Sequence, residues 1–563
     1  MKRKSILFPF AFVIALFAAA LLTCPVHFLL NDDYALMQIV ASWRSGTPEW
    51  FNVHNNVLYS APISFLYRLW GNIPWYPIIQ IAILLLSCLA ILRSMQKAVQ
   101  EKQGKIVMIL SFVFLFVSGI LPNLIFLQYS IVAAISGTAA CILLVHREPG
   151  VWGSIKIALF ACLSVLIRRE TGAVTISMLF AAWVITFFEK SADEGFLRTF
   201  KMNFKRTFLP VCLTAVLCLG GIMLQEGVEN TPKLKEFMQY NYLRVSYMDY
   251  QNYPTYQESD VYRRIGWSEP FYEMTKDWFF MDERFTSDSL SAILAEGRMP
   301  ALSERLPQII PTFLATLQIS NPVRDLFLLF VGLTGATLLI HLIKRDFLGA
   351  LRGCIPAACF FAASFYLCYR GRFPQHAFYT CILPACALLF YEWSRLKREG
   401  VLVWTITIVA LAAMLGLSFN SAEHVFALSR SEVCQRQEKL SDEVDEYAVE
   451  HSQDIIITDS SIQSIGSPWQ TNKNVHPLNR FFWGGWYYHS PFYYEQLKMN
   501  GRGGLYSSDF YDEHIQLLNN SPEMLDQLLA YLTDTYGETI AIPVSQEADF
   551  TAYRFELVAA TNP

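Results

Sequence analysis

Four short polar segments carry residue types that can do chemistry. The first is Asn31-Asp32-Asp33. A carboxylate here can act as a general base toward a hydroxyl, and two adjacent carboxylates can hold a divalent cation such as Mg2+ or Mn2+. The plainer reading is a helix start, with Asn31 as its cap and two acids favouring its positive end. The second segment is Arg168-Arg169-Glu170. Guanidinium groups offer forked donors that match phosphate oxygens; the plainer alternative is two arginines snorkelling to an interface and pairing with Glu170. The third, Tyr369-Arg370-Gly371-Arg372-Phe373-Pro374-Gln375-His376, is again basic. Gly371 would let the backbone approach a ligand closely, and His376 reads more simply as an interfacial histidine than as a catalyst. The fourth holds Asn241, Arg244, Asp249 and Tyr250, followed by Trp267, Trp278 and Asp282. It reads as a solvated surface with internal ion pairs, or as a lid or acceptor platform.

Asp32 and Asp33 are therefore the candidate catalytic residues and the candidate cation ligands. The candidate substrate-binding residues are Asn31, Arg168, Arg169, Glu170, Asn241, Arg244, Asp249, Arg370, Arg372 and His376. A dense aromatic run from Phe481 to Tyr494, containing Trp483-Gly484-Gly485-Trp486, suits either sugar stacking or docking at a membrane surface; docking is the favoured reading.

The elements that must position these residues are membrane helices. The chain has 563 residues, 53% hydrophobic and only 16% charged, where a soluble chain carries about a quarter charged residues. The apolar residues fall in blocks of about 17–22, enough to span a bilayer. Eleven spans are expected, at 6–23, 76–94, 106–125, 129–146, 153–168, 171–188, 208–224, 323–343, 353–369, 376–393 and 402–419. With a cytoplasmic N-terminus (Met1-Lys2-Arg3-Lys4 reads as the basic end of an uncleaved first span), the connections on the inner side carry the basic residues. Arg93, Lys97, Arg147, Lys190, Arg206, Arg345 and Arg398 are among them, which is the positive-inside pattern of a plasma-membrane protein. The arginines of the second and third segments fall on the opposite, extracytoplasmic side, where that rule does not explain them.

The expected inner connections are too short for a nucleotide-binding domain, and no GxxxxGK[ST] or GxGxxG motif occurs. No long basic run points to nucleic acid. Cysteines sit mostly in apolar blocks, without CxxC or a Cys/His cluster, so they read as space-fillers rather than disulfides or zinc ligands. The expected outer side carries a loop at 24–75, a larger loop at 225–322 and a region at 420–563. These divide the chain into a membrane domain, 1–419 with both loops, and a small extracytoplasmic α/β domain, 420–563. In the latter, helices are expected over 431–451 and 522–536, and strands over 454–458, 539–543 and 552–558.

Asp32-Asp33 after the first span, many spans, outward arginines and a C-terminal outer domain together resemble the GT-C superfamily of membrane glycosyltransferases. The segments Asn31-Asp32-Asp33, Arg370-Gly371-Arg372-Phe373-Pro374 and Trp483-Gly484-Gly485-Trp486 are also similar to those of a bacterial group of this architecture. The resemblance implies a transferase that takes a sugar from a polyprenyl-phosphate-linked donor and passes it to a glycan, lipid or protein acceptor outside the cell membrane. It implies arginines holding the lipid phosphate as its charge develops and an Asp activating the acceptor hydroxyl. A single displacement would invert the anomeric carbon, with no second carboxylate acid of the kind glycoside hydrolysis needs. Two other readings stand beside it. A flippase of lipid-linked glycans would place ionisable residues along the spans, whose interiors hold almost no Asp, Glu or Lys. An O-antigen-type polymerase or ligase would share the outward arginines, but does not call for an acid pair directly after the first span.

Overall fold

The computed structural model describes every residue except 1, 47, 100, 147–149, 189–195, 251, 299, 463 and 559–563; residues 2–6, 196, 197, 199 and 203 are described by backbone alone. Arg147 and Lys190, two of the basic residues used to orient the chain, lie outside the described residues.

Helices form where the apolar runs are. Among the described residues nine are long and apolar enough to cross a membrane: Trp75–Ala98, Lys102–Ile125, Tyr129–His146, Arg169–Phe188, Phe200–Glu229, Asn321–Ile343, Phe347–Tyr369, Gln375–Arg395 and the first part of Val401–Glu450. Two shorter apolar helices, Leu7–Thr23 and Val151–Ile167, fall at the first and fifth expected spans. The chain is a multi-pass helical membrane protein with a small C-terminal α/β region.

Two spans form the centre. Tyr129–His146 and Gln375–Arg395 are each 94% buried along their apolar windows, whereas Val401–Glu450 is only 22% buried. Small residues explain the close packing of the first. At Gly137 an added Cβ would lie 2.2 Å from Thr175 Oγ1 on the sixth span, so a side chain there would push the helices apart.

A short parallel pairing sets the first loop in place. β1 (His27–Phe28) pairs with β2 (Phe126–Leu127), in the register His27↔Phe126 and Phe28↔Leu127. Only Gln128 separates β2 from Tyr129. The pairing therefore carries the helix Asn31–Val40, with its acid pair, to the start of the central span.

The C-terminal region is built on a five-stranded sheet in the order β4-β3-β5-β7-β6, with β3 Ile455–Thr458, β4 Arg480–Phe482, β5 Ile515–Asn519, β6 Thr539–Gln546 and β7 Thr551–Leu557. β4, β3 and β5 run parallel, while β7 is antiparallel to both β5 and β6. β4 and β5 went unread in the sequence because each is short and lacks period-two alternation: β5 is buried along its whole length, as strands covered on both faces are.

The division at 420 differs from the expectation in two ways. The last spanning helix runs on to Ser429, because Ser421, Val425 and Ser429 keep one face buried. The large loop, expected to belong with the membrane domain, shares one hydrophobic core with the sheet: Trp267, Phe271, Phe280 and Phe285 pack with Ile457, Trp483, Leu517 and Tyr531. Asp282 locks the two together. It accepts from Arg284 at 2.8 and 2.6 Å and from the Tyr531 hydroxyl at 2.5 Å. Trp267 and Asp282 are thus scaffold residues. The glycines of Trp483-Gly484-Gly485-Trp486 answer the same packing. A Cβ at Gly484 would fall 1.7 Å from the Trp278 carbonyl oxygen, and Gly485 turns the chain at φ +80.

Candidate active site

The two acids of the first loop have separate surroundings. Asp33 is fully buried. Its Oδ1 accepts from the Tyr76 hydroxyl at 3.1 Å, Gln80 Nε2 at 3.0 Å and the Tyr129 backbone N–H at 3.1 Å. It thereby joins the first-loop helix to the second and fourth spans. Burial, reinforced by the neighbouring Asp32 charge, pushes its carboxyl up to about 7. Asp32 is only half-buried. One of its oxygens accepts from Trp486 Nε1 at 3.0 Å; the other makes no hydrogen bond among the described residues. Asn31 does not cap the helix: the cap position is Leu30, without a side-chain bond, and Asn31 is the exposed first helical residue.

The Asp33 environment carries a stability prediction. Its raised pKa means the folded state keeps a proton that the unfolded state has released between about pH 4 and 7. Stability should therefore fall as pH rises through that window. Thermal unfolding of purified protein from pH 4 to 8 should show the decline, and Asp33→Asn should flatten it. Asp33→Ala, which leaves three buried donors unsatisfied, should cost roughly 2–5 kcal/mol.

Trp486 brings the C-terminal region onto the acid. It packs against the membrane-domain core and lies edge-on to His54, with ring centroids 5.0 Å apart; Tyr129 approaches the same imidazole at 5.7 Å. The aromatic segment therefore docks. Trp43 does likewise, stacking on His476 at 3.6 Å and donating to Asn472 at 2.8 Å. His54 was not among the sequence candidates. Its Nε2 is buried and has no hydrogen-bond partner among the described residues, and burial lowers its pKa to about 4, leaving a neutral ring. The signal was Asn52-Val53-His54-Asn55, where Asn52 Oδ1 accepts from the His54 and Asn55 backbone N–H groups at 3.1 and 2.7 Å. Such an Asx turn presents a side chain in a fixed direction.

The arginines divide into two sets. Arg168 Nη1 donates at 2.6 Å to both the Tyr129 hydroxyl and Ser130 Oγ, and its Nε reaches Glu170 at 3.3 Å. Arg169 turns elsewhere and pairs with Glu226 at 3.2 Å. Arg372 pairs with Asp249, and Arg370 lies over the Tyr250 ring at 5.6 Å. Gly371, with φ +90, accommodates another side chain rather than leaving backbone open to a ligand, since a Cβ there would meet Arg305 Nη1 at 2.2 Å. Arg244 is distinct. It is 3% exposed, donates to Asn241 Oδ1 at 3.2 and 2.8 Å and lies over the Trp278 ring at 5.8 Å. Among the described residues it has no carboxylate within ion-pair distance.

Electrostatics links the segments. The charges of Asp32, Arg168, Glu170 and Arg244 all act on His54. Asp249, Asp32 and Arg372 act on Arg244, and Arg168, Arg372 and His54 act on His376. Residues from the first loop, the 168–170 turn, the large loop and the 369–376 turn thus form one cluster. Arg169, paired with Glu226, stands apart from it.

Asp33 Oδ1 accepts from three protein donors and one Asp32 oxygen from Trp486. Among the described residues no group of three or more His, Cys, Asp or Glu side chains is arranged to hold an ion.

No protein-family model matches the chain, and neither does any curated protein sequence. Solved structures similar to it include ArnT from Cupriavidus metallidurans bound to undecaprenyl phosphate, at 11% identity over 97% of each chain with a TM-score of 0.48. The apo state of ArnT is similar at 11% identity over 96% of this chain and 97% of that one, with a TM-score of 0.49. The oligosaccharyltransferase of Archaeoglobus fulgidus, in complex with Zn and sulfate, is similar at 11% identity over 97% of this chain and 73% of that one, with a TM-score of 0.44.

Proposed function

We propose that the chain is a glycosyltransferase of the GT-C type, moving a sugar from a polyprenyl-phosphate-linked donor to a hydroxyl acceptor at the extracytoplasmic membrane surface. The observation that carries the reading is one cluster holding both a half-buried Asp32 with a free oxygen and a buried Arg244 with no paired carboxylate. A guanidinium kept out of water without a counter-ion is costly. A phosphate arriving with the donor would supply that counter-ion.

In the proposed step Asp32 accepts the acceptor hydroxyl proton. The acceptor oxygen bonds to the anomeric carbon, the bond from that carbon to the phosphate oxygen breaks, and its electron pair leaves on the polyprenyl phosphate. Arg244 and Arg168 face the growing negative charge. Arg372 stays tied to Asp249 until an anion competes for it, and Arg370 extends the basic rim. His54, neutral and flanked by two aromatic rings, lines the acceptor side. Displacement from the face opposite the phosphate inverts the anomeric centre.

The test is transfer itself. Purified protein in lipid is given a panel of synthetic polyprenyl-phosphoryl sugars, and release of polyprenyl phosphate is followed. Consumption of at least one donor, lost on Asp32→Asn, supports the proposal. Movement of labelled lipid across liposomes with no donor cleavage would overturn it in favour of a flippase. Trp486→Ala checks the docking. It removes the only donor to Asp32 among the described residues, so transfer should fall about tenfold or more, with the membrane helices unaffected by circular dichroism.

A further inference from the structure

At the end of the bundle opposite the Asp32 cluster, the eighth, ninth and tenth spans enclose a recess of about 220 Å³. Its lining is mostly charged: Lys344, Arg352, Arg395 and Lys397 against Asp346 and Glu392. The two carboxylates are already engaged. Glu392, 3% exposed, accepts from Arg352 at 3.1 Å and from Arg395 at 3.3 Å. Asp346 caps the ninth-span helix, accepting from the Gly349 N–H at 3.1 Å, and holds His341 Nδ1 at 3.1 Å. Gly349 is required there, since a Cβ would sit 2.1 Å from that Nδ1.

Two cations are left over. Lys344 Nζ donates to the Lys397 carbonyl; among the described residues Lys397 Nζ makes no hydrogen bond and neither ammonium has a carboxylate within ion-pair distance. His341, also lining the recess, is 3% exposed, and its buried Nε2 has no hydrogen-bond partner among the described residues. Beside these groups the chain exposes large apolar residues on the same helix ends: Leu342, Phe347 and Leu348.

We infer that this recess is a binding site for the phosphate of an anionic membrane phospholipid. The phosphate would sit against Lys344 and Lys397, and the acyl chains would lie along the exposed apolar residues of the eighth and ninth spans. Basic recesses between spanning helices hold anionic headgroups in this manner, and the unpaired cations together with adjoining apolar surface favour a lipid over a soluble anion. The inference does not depend on the proposed transferase chemistry.

Native mass spectrometry of the full-length protein tests it. Phosphatidylglycerol should be retained in preference to phosphatidylcholine. Lys344→Ala with Lys397→Ala should weaken that retention about tenfold, and Lys344→Arg with Lys397→Arg should preserve it. Millimolar inorganic phosphate should not displace the lipid. Equal phosphatidylglycerol retention by the alanine variant and the unmodified protein would overturn the assignment. Displacement by inorganic phosphate would overturn the lipid and assign the recess to a soluble anion.

Discussion

Asp32→Asn is expected to lower sugar transfer by about 10²- to 10⁴-fold, the range over which a positioned general base acts, while Asp33→Asn lowers it only a few-fold. Sequence alone gave the two acids equal standing. Their partners separate them. Asp33 is enclosed by Tyr76, Gln80 and Tyr129. An amide oxygen can accept the same three bonds, so Asn preserves the joint. Asp32 keeps one oxygen without a partner among the described residues, and an amide there can still accept from Trp486 yet cannot take a proton. The loss should appear in kcat more than in the donor KM, because a base acts in the reacting complex rather than in donor binding. Initial rates for both variants, with thermal midpoints measured alongside, decide the matter. Wild-type rates from Asp32→Asn would sink the assignment. So would a larger loss from Asp33→Asn in a protein of unchanged stability.

Arg244→Met is expected to cut transfer by about 10²-fold or more, on the scale of removing a preorganised donor from a developing oxyanion, and to raise thermal stability. The opposite signs follow from one fact: the guanidinium is buried and its protein partner is a neutral amide. In the unliganded protein that arrangement costs desolvation without ion-pair compensation, so a methionine of similar length should relieve it. With donor present the same charge meets phosphate. Both the donor KM and kcat should worsen, since the phosphate is held before the reaction and gains charge during it. Arg244→Lys should fall between the two, keeping the charge but losing the planar fork. Thermal unfolding and steady-state rates on the three proteins provide the check. An Arg244→Met protein that is less stable and fully active would contradict the proposed role.

Arg168 and Arg169 differ in surroundings that their adjacent positions do not specify. They are neighbours, chemically identical, and both lie at the join between two spans. Arg168 is the extended residue between two helices, with φ −153 and ψ 120, and Arg169 is the first residue of the second helix, so their side chains leave in different directions. One meets Tyr129 and Ser130 inside the bundle and the other meets Glu226 at its rim. Nothing in the sequence chooses between them. His54 was missed because its importance comes from Trp486 and Tyr129, which stand 432 and 75 positions further along the chain.

What the sequence determined is what local composition controls. The length of the apolar runs placed the nine helices long enough to cross a membrane among the described residues, and two shorter apolar ones, because a helix in lipid must satisfy its backbone internally. The turn and strand chemistry placed three of the five C-terminal strands and both long helices there. The tertiary structure decided what depends on distant parts of the chain. The β1–β2 pairing brings the acid pair to Tyr129, and the fusion of the large loop with the C-terminal sheet delivers Trp486 to Asp32. Packing then buries Asp33 but leaves Asp32 half-exposed. Run length and periodicity are one-dimensional properties, whereas which of two adjacent side chains faces a shared site is set by how separate helices pack, and the sequence records that only jointly over all of them.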